Sequence, residues 1–503
     1  MVSWYMPDHF EIIETTIDEV HESMKAGELT SQQLVSQYLD RIEKYDQAGP
    51  ELNSIVTVND NAVERAAELD ETMEESGLTG PLHGIPVLVK DQAETAGLRT
   101  TFGSETCTDY VPETDATLVT DLKNAGAVVL AKTNLPDWAS SYFGCSSAIG
   151  QTKNPYDTER DPGGSSAGTG AAVAANLGTV GIAEDTGGSV RVPSANCNLF
   201  GIRVTTGLIS RTGFSPIVPR QDTPGPVART VSDMTRLLDV LVGYDAEDAW
   251  TGATAQSPVD SYMNYLNEDG LEGKRIGVLR DAFGGEDPRA ESVTRSVEVA
   301  LERMAEAGAE LVDPVSIADV DQQIQETTVY GYHGTIHLNA FLEARAEIPY
   351  DSVREIYEAG AYQEDLDLIR DIAETTDDPE SELDYWKSTL MQESFRRDVL
   401  ETFASNDLDA IVFPDVKEEP PKISEIGNRY TTANFPTNTP IAAQTQCPAI
   451  SVPGELTEGG LPVGVEILGT PHSEHRLIEM AYAYEQVTDT RESPSTAPSI
   501  SST

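Results

Sequence analysis

Residues 140–230 are rich in Gly, Ser, Thr and Pro, yet they also contain enough apolar residues to be buried. Flexible Gly/Ser linkers lack such apolar runs. Patterns typical of helices and of strands alternate around this segment, as expected of α/β packing. No internal repeat and no linker divides the 503-residue sequence, although that length alone allows roughly three domains. The sequence therefore predicts an α/β fold: a single large domain whose mixed β-sheet core is covered by helices on both faces.

This domain is expected to span residues 1–487. N-terminal helices should occupy about 10–80, with a capping box formed by Thr30 and Gln33. A Ser/Gly-rich core follows at about 81–245, a helical insertion at about 320–402, and the rest of the core at about 408–487. The Ser/Pro-rich tail, 488–503, is predicted to be disordered. Hydrophobic periodicity predicts helices at 16–25, 31–45, 61–76, 117–125, 230–242, 292–307 and 475–487, and strands at 54–58, 127–132, 275–279, 310–315, 410–413, 449–452 and 463–468.

The chain is strongly acidic, with 85 Asp and Glu against 33 Lys and Arg and a formal net charge of −52. The acidic residues are spread along the chain, and only ten of the basic residues are lysines. We interpret this as adaptation to a highly saline cytoplasm, the alternative being an acidic protein from an ordinary cell. Such a charge disfavours nucleic acid as a partner. Four scattered cysteines favour free thiols, and the lack of a signal-peptide pattern or a long apolar run predicts a cytoplasmic protein with no membrane association.

Two Gly-Ser segments, 161–168 and 184–191, are candidates for chemistry. Neither continues into Gly-Lys-Ser/Thr, so a phosphate-binding P-loop is excluded. Residues 164–168 match G-x-S-x-G, which would make Ser166 the nucleophile of an α/β-hydrolase. That motif requires a preceding strand, whereas residues 153–162 contain two prolines and several turn formers. The four histidines that could follow the nucleophile stand in no recognisable context: His333, His337, His472 and His475.

A serine paired with a lysine needs no histidine. Lys90 ends the apolar run 84–91 (GIPVLVKD), where burial would lower its pKa and make it a usable base. The alternative is a lysine that reaches a surface carboxylate such as Asp91. The segment alone leaves both interpretations open.

Taken together, these residues resemble the amidase signature family, which includes peptide amidases, fatty-acid amide hydrolases and the A subunit of tRNA-dependent amidotransferases. The resemblance covers nearly the whole chain. Its strongest part is the ordered set Lys90, Ser165 and Ser189, with 24 residues between the two serines. Further matching segments are GLRTTFG at 97–103, NP at 154–155, GGSSAG at 163–168, DTGGSVRVP at 185–193, FGIRVTTG at 200–207 and GLPVG at 460–464.

The resemblance implies a role for each of these residues. Ser189 would attack the amide carbonyl, and Ser165, following a cis peptide bond, would relay the proton to neutral Lys90. Backbone N–H groups of Thr186, Gly187, Gly188 and Ser189 would form the oxyanion hole. Around this triad, Ser166 would hydrogen-bond Lys90, while Asp185 and Arg191 would brace the loop, unless they form only a surface ion pair.

The sequence departs from the family pattern at Ala167, Glu184 and Arg203, and Glu184 adds negative charge near the site. His333 and His337 have the spacing of zinc ligands on a helix, but no acidic residue of the H-E-x-x-H type accompanies them, and His472 with His475 is no stronger. No metal or cofactor is expected. A wall of the substrate pocket is expected from the insertion, with Tyr330, Tyr332, His333, Asn339 and Phe341 as its candidates.

The resulting hypothesis is a cofactor-free amidase that cleaves a small-molecule amide through an acyl-enzyme. One alternative is the A subunit of a glutamine-dependent tRNA amidotransferase, the only case in which nucleic acid would be a partner. The segment Leu338–Phe341 and the long insertion resemble stand-alone members more closely. A catalytically inactive amide-binding member is a third hypothesis, and a homodimer is left open.

Overall fold

The computed structural model describes residues 10–256 and 259–500 of the chain. Its helices are α1 Ile17–Ala26, α2 Ser31–Arg41, α3 Ala62–Ser76, α4 Thr117–Asn124, α5 Ala167–Ala174, α6 Arg191–Asn196, α7 Val231–Leu241, α8 Glu291–Glu306, α9 Val320–Glu326, α10 Tyr330–Glu343, α11 Val353–Ala359, α12 Asp367–Glu374, α13 Leu383–Asn406, α14 Pro440–Thr445 and α15 Glu474–Val487. The predicted capping box at Thr30 and Gln33 is confirmed at the start of α2. In the described part of the chain, no helix is both long and apolar enough to span a membrane.

The strands are β1 Ile55–Val58, β2 Pro86–Lys90, β3 Val128–Thr133, β4 Cys145–Ser146, β5 Gly150–Gln151, β6 Val180–Asp185, β7 Phe200–Arg203, β8 Thr223–Ala228, β9 Arg275–Leu279, β10 Glu310–Val315, β11 Ala410–Pro414, β12 Ala449–Pro453 and β13 Gly464–Leu468. Eleven of them form one sheet, in the order β1-β3-β2-β6-β8-β7-β12-β13-β11-β9-β10. The sheet is mixed: β2 pairs in parallel with β3 and β6, whereas β8 pairs antiparallel with β6 and β7. Helices flank it, as predicted.

Strands β2 and β6 lie side by side in the interior of this sheet and set the position of the candidate site. Every residue of both strands is buried, which fits their nearly continuous apolar sequence. Because they run in parallel, their carboxyl ends lie at the same edge of the sheet. Lys90 ends β2, and Glu184 with Asp185 ends β6, so three ionisable side chains meet at that edge.

Helix α5 explains why the segment around 167–175 consists of Gly and Ala. All eight of its residues are buried, and it packs against β2, β3, β6 and β8. A Cβ added to Gly168 would lie 2.2 Å from the backbone nitrogen of Asn134 and 2.3 Å from the carbonyl oxygen of Ser54. The helix therefore approaches the sheet more closely than larger side chains would permit.

The predicted helical insertion comprises α9 to α13. It has its own small apolar core, which joins the main body through aromatic contacts. Phe102 stacks on Trp138 at a centroid distance of 5.2 Å, and Phe341 of α10 meets Phe102 edge-on at 5.4 Å. These contacts fix the insertion next to the residues that follow β2.

The C-terminal segment differs from its prediction of disorder. Arg41, buried in α2, donates hydrogen bonds to the carbonyl oxygens of Ala497 and Pro498. Arg491 donates to Glu14 and to the carbonyl oxygen of Ala174. Composition suggested a free tail, but these arginines supply charged donors for its backbone and side-chain oxygens. Residues 501–503 lie outside the described part of the chain.

Candidate active site

Lys90 is completely buried at the end of β2. Its Nζ donates to Ser165 Oγ at 2.8 Å and to the carbonyl oxygen of Glu184 at 3.2 Å. Burial lowers the pKa of Lys90 to about 8, although the nearby carboxylates of Glu184, Asp185 and Asp222 act in the opposite direction. A substantial fraction of neutral amine near neutral pH is what a general base requires.

Asp91, the alternative partner for Lys90, is engaged elsewhere. Its carboxylate lies 3.1 Å from Lys132 Nζ, and both side chains are fully buried. The hydroxyl of Thr101 also donates to Asp91. The surface interpretation of Lys90 therefore does not apply, because both Lys90 and Asp91 are in the interior.

Ser165 and Ser166 lie immediately before α5, and the Gly164–Ser165 peptide bond is cis. The expectation that Ser166 hydrogen-bonds Lys90 needs correction. Ser166 Oγ donates to the carbonyl oxygen of Glu184 and accepts from its N–H, both at 3.3 Å. Since that same carbonyl accepts from Lys90, Ser166 acts on the lysine through the backbone of β6 rather than by direct contact.

The turn between β6 and α6 is held by the carboxylate of Asp185. It accepts from the N–H groups of Gly188 at 2.8 Å and Val190 at 3.1 Å. It also accepts two hydrogen bonds from Arg191 and one from Arg203. Burial alone would raise the pKa of Asp185, but the two guanidinium groups outweigh it and hold the pKa at about 2. Asp185 and Arg191 thus form a fully buried pair, not a surface one.

Two further contacts complete this buried charge network. Arg191 donates to Glu466 Oε1 of β13 at 2.6 Å. Arg203, at one of the departures from the family pattern, donates to the carbonyl oxygen of Asp185 and to that of Gln221, each at 2.7 Å. The planar guanidinium spans two segments that a lysine ammonium could not bridge in the same way.

The predicted oxyanion hole is only partly free to accept a ligand. Gly188 N–H is already bonded to Asp185. Among the described residues, the N–H groups of Thr186, Gly187 and Ser189 have no protein acceptor. These three donors remain for a developing oxyanion.

Gly187 is enclosed by side chains from three distant segments. Its carbonyl oxygen accepts from Tyr142 at 3.1 Å and from Thr439 at 2.8 Å. A Cβ at this position would lie 2.0 Å from the hydroxyl oxygen of Tyr330. Only glycine fits there, which gives the Gly-Gly pair before Ser189 a physical reason.

Ser189 is 5% exposed and has a cavity on either side of its turn. The first cavity, about 390 Å³, is lined by residues that include Glu184, Asp222, Phe214 and His337. The second, about 220 Å³, is lined by residues that include Tyr142, Tyr330, Thr437 and Gln444. The two volumes match small ligand sites in scale.

The predicted pocket residues of the insertion lie in different environments. Tyr330 lines the second cavity. Tyr332 packs edge-on against Tyr385, and His333 stacks on His337 with ring centroids 5.4 Å apart. Asn339 accepts a hydrogen bond from the N–H of Val353, so its oxygen is engaged within the insertion. Phe341 lines the first cavity while packing against Phe102.

The histidine pairs show no metal-binding geometry. Burial and the neighbouring His337 lower the pKa of His333 to about 4. His475 packs against the ring of Tyr265. Within residues 10–256 and 259–500, no group of three or more His, Cys, Asp or Glu side chains could hold a metal ion.

Sequence reasoning missed several residues that the fold brings to this site. Asp222, Tyr142, Thr439 and Glu466 stand in segments without a motif of their own. The only local signal is their position beside strands β8, β11 and β13, and sheet order is needed to read it. Their proximity to residues 184–191 is a tertiary property.

Comparison with known proteins places this geometry in a family. A family model described as amidase matches residues 33–478. The chain belongs to the amidase signature family. The A subunit of the glutamyl-tRNA(Gln) amidotransferase of Caldanaerobacter subterraneus is 33% identical over 496 residues, covering 95% of this chain and 97% of that protein.

Two solved structures of the amidase signature family share the fold. Native peptide amidase from Stenotrophomonas maltophilia superposes with a TM-score of 0.86 at 34% identity, covering 97% of this chain and 99% of the other. An amidase family protein from Bacillus anthracis gives a TM-score of 0.83 at 30% identity, covering 96% and 92%. This amidase is therefore similar both to a peptide amidase and to one component of an amidotransferase.

Proposed function

We propose that this amidase hydrolyses the C–N bond of a carboxylic amide, using Ser189 as nucleophile, Ser165 as proton relay and Lys90 as base. The observation that carries the proposal is the 2.8 Å contact between the buried Lys90 Nζ and Ser165 Oγ, beside the turn that bears Ser189. The family membership and the similarity to peptide amidase support the same reaction.

The reaction has two halves. Ser189 Oγ adds to the amide carbonyl carbon while its proton passes through Ser165 to Lys90, and the carbonyl oxygen accepts from the N–H groups of Thr186, Gly187 and Ser189. The C–N bond then breaks, and Lys90 returns the proton through Ser165 to the departing nitrogen. Water attacks the acyl-enzyme by the same proton route, releasing the carboxylate and restoring Ser189.

The environment supports each part. Burial favours a neutral Lys90, and Asp185 fixes the turn through two backbone N–H groups. The two cavities beside Ser189 provide separate spaces for the acyl and leaving groups of a small amide. We propose that the high acidic charge adapts the protein to a saline cytoplasm, so the assays should be run in molar KCl.

A second candidate is supported by the curated relatives, several of which are named as amidotransferase A subunits. In that function, glutamine would be the amide and its ammonia would be passed to a mischarged tRNA. Such a protein should copurify with its partner subunits, and its glutaminase activity should rise when tRNA is added. The hydrolase proposal predicts neither behaviour.

The decisive assay is release of ammonia or amine from aliphatic, aromatic and peptide amides. Ser189→Ala and Lys90→Ala should each reduce kcat/KM by several orders of magnitude, with folding verified by circular dichroism. Turnover close to wild type in either variant would show that the proposed chemistry is wrong. Glu485→Gln on α15 is a suitable control, because its Oε1 can keep the hydrogen bond from Val231 N–H.

A further inference from the structure

Glu184 places a buried carboxylate directly beside Lys90. The glutamate is 1% exposed, and its Oε2 lies 3.5 Å from Lys90 Nζ. Its Oε1 accepts from the hydroxyl of Thr186 at 3.2 Å. Glu184 also lines the first cavity, whereas Lys90 is completely enclosed.

One residue thus holds the lysine amine twice. The backbone carbonyl of Glu184 accepts from Lys90 Nζ at 3.2 Å, and its side-chain carboxylate approaches the same nitrogen. With Ser165 Oγ at 2.8 Å, these oxygens surround an ammonium that has three donors. Moving the carboxylate would change both the position and the charge balance of the amine.

The other charges around this pair are largely engaged. Asp185 is paired with Arg191 and Arg203. Asp222 accepts from Thr186 Oγ1 and from the N–H groups of Ile217 and Val218. The remaining charged and titratable groups around the first cavity are Arg211, paired with Asp248, Arg345, paired with Glu94, and His337 and Glu247. Glu184 is the carboxylate with the largest charge effect on Lys90.

We propose that Glu184 is a positioning residue that holds Lys90 against Ser165 and sets the pH at which Lys90 becomes available as a base. The inference deepens the proposed function and rests on it for the role of Lys90. It concerns a position where this chain departs from the family pattern.

The direction of the effect follows from the charges. Burial lowers the pKa of Lys90 to about 8, and the negative charge of Glu184 opposes that fall. Burial raises the pKa of Glu184 to about 7, and the positive charge of Lys90 opposes that rise. Removing the carboxylate charge leaves burial less opposed, so Lys90 should lose its proton at a lower pH.

The first test is the pH dependence of kcat/KM for wild type, Glu184→Gln and Glu184→Asp. Glu184→Gln keeps the shape without the charge and should move the acidic limb to lower pH by about one unit or more. On that limb, each unit corresponds to a tenfold gain relative to wild type. Glu184→Asp keeps the charge and should leave the limb near its wild-type position.

Glu485→Gln is the matched control, since burial also raises the pKa of Glu485 to about 7 while its side chain bonds α7. This control should leave the limb unchanged. An acidic limb that stays in place in Glu184→Gln, or moves to higher pH, overturns the proposal. A purely structural role would lower kcat without shifting the limb.

A second measurement does not depend on catalysis or on the variants folding. Lysine labelled with ¹³C at Cε gives ten signals, and that of Lys90 is assigned by its loss in Lys90→Met. In the wild type, Lys90 should titrate well below an ordinary lysine, with an inflection shared with Glu184. A single titration at an ordinary lysine pKa overturns the inference. If the shared inflection is found in a protein inactive on all amides, the proposed function fails while the pairing of Glu184 with Lys90 stands.

Discussion

Asp185→Asn should destabilise the protein strongly and impair the site at the same time. The substitution keeps one oxygen acceptor but removes the charge that Arg191 and Arg203 share. The pKa of Asp185 is lowered from 3.8 to about 2, which corresponds to roughly 2 kcal/mol of interaction favouring the ionised form.

The charges left behind add to this cost. Arg191 keeps Glu466, but Arg203 loses its carboxylate partner while remaining fully buried. Breaking a buried ion pair by removing one member typically costs about 3–5 kcal/mol. We therefore expect a loss of about 3–5 kcal/mol in the free energy of unfolding. The lowered pKa means that this contribution is present above pH 3.8 and is lost as the pH falls through about 2.

Urea unfolding at pH 7 in molar KCl measures this difference, and kcat/KM measured on the folded fraction reports the turn. The Gly188 and Val190 N–H groups compete for the one remaining oxygen, so kcat/KM should fall even where the variant is folded. Glu485→Gln is the stability control for replacing a buried carboxylate by an amide. A loss below about 0.5 kcal/mol in Asp185→Asn would refute the claim that these charges hold the turn.

Three further substitutions test other contacts of the fold and the site. Gly187→Ala should lower kcat/KM sharply and cost about 1–3 kcal/mol of stability, because its Cβ would overlap the Tyr330 hydroxyl; normal activity would exclude this close packing. Arg203→Lys should cost about 1–3 kcal/mol in urea unfolding, since the carbonyl of Gln221 loses its charged donor, whereas an unchanged midpoint would contradict that role. Glu485→Gln should gain stability over wild type as the pH rises from 4.5 to 7, on the order of 1 kcal/mol or more, because the raised pKa makes ionisation of the folded protein costly; parallel pH profiles would disprove it.

Local pattern was sufficient for much of the fold. The apolar run that ends at Lys90 predicts a buried strand, and β2 is buried throughout. The periodicity of residues 31–45 predicts a helix, although the regular α-helix ends at Arg41 and continues as a π-helical turn over Ile42–Asp46. Such signals depend on neighbouring residues, so a single sequence carries them.

The candidate site was predictable only where its residues share a motif. Asp185 and Arg191 are six positions apart, and their pairing could be anticipated from that spacing. Glu466 reaches Arg191 from 275 positions away, and Thr439 reaches Gly187 from 252 away. Those contacts depend on the order of strands in the sheet, which no local pattern specifies.

The negative charge predicted near the site at Glu184 was visible in the sequence, but its partner was not. The sequence placed Ser166 as the hydrogen-bond partner of Lys90, whereas the structure puts Ser166 on the backbone of Glu184. Which side chain touches an amine depends on rotamers and strand register, and both are settled by packing.

The central claim, that Ser189 is the nucleophile, is tested most directly by peptide mapping after reaction with a fluorophosphonate. We predict one adduct per chain, located on Ser189 by mass spectrometry, lost in Ser189→Ala and formed much more slowly in Lys90→Ala. An adduct on Ser166, or an enzyme that hydrolyses amides while Ser189 stays unmodified and replaceable, would contradict it.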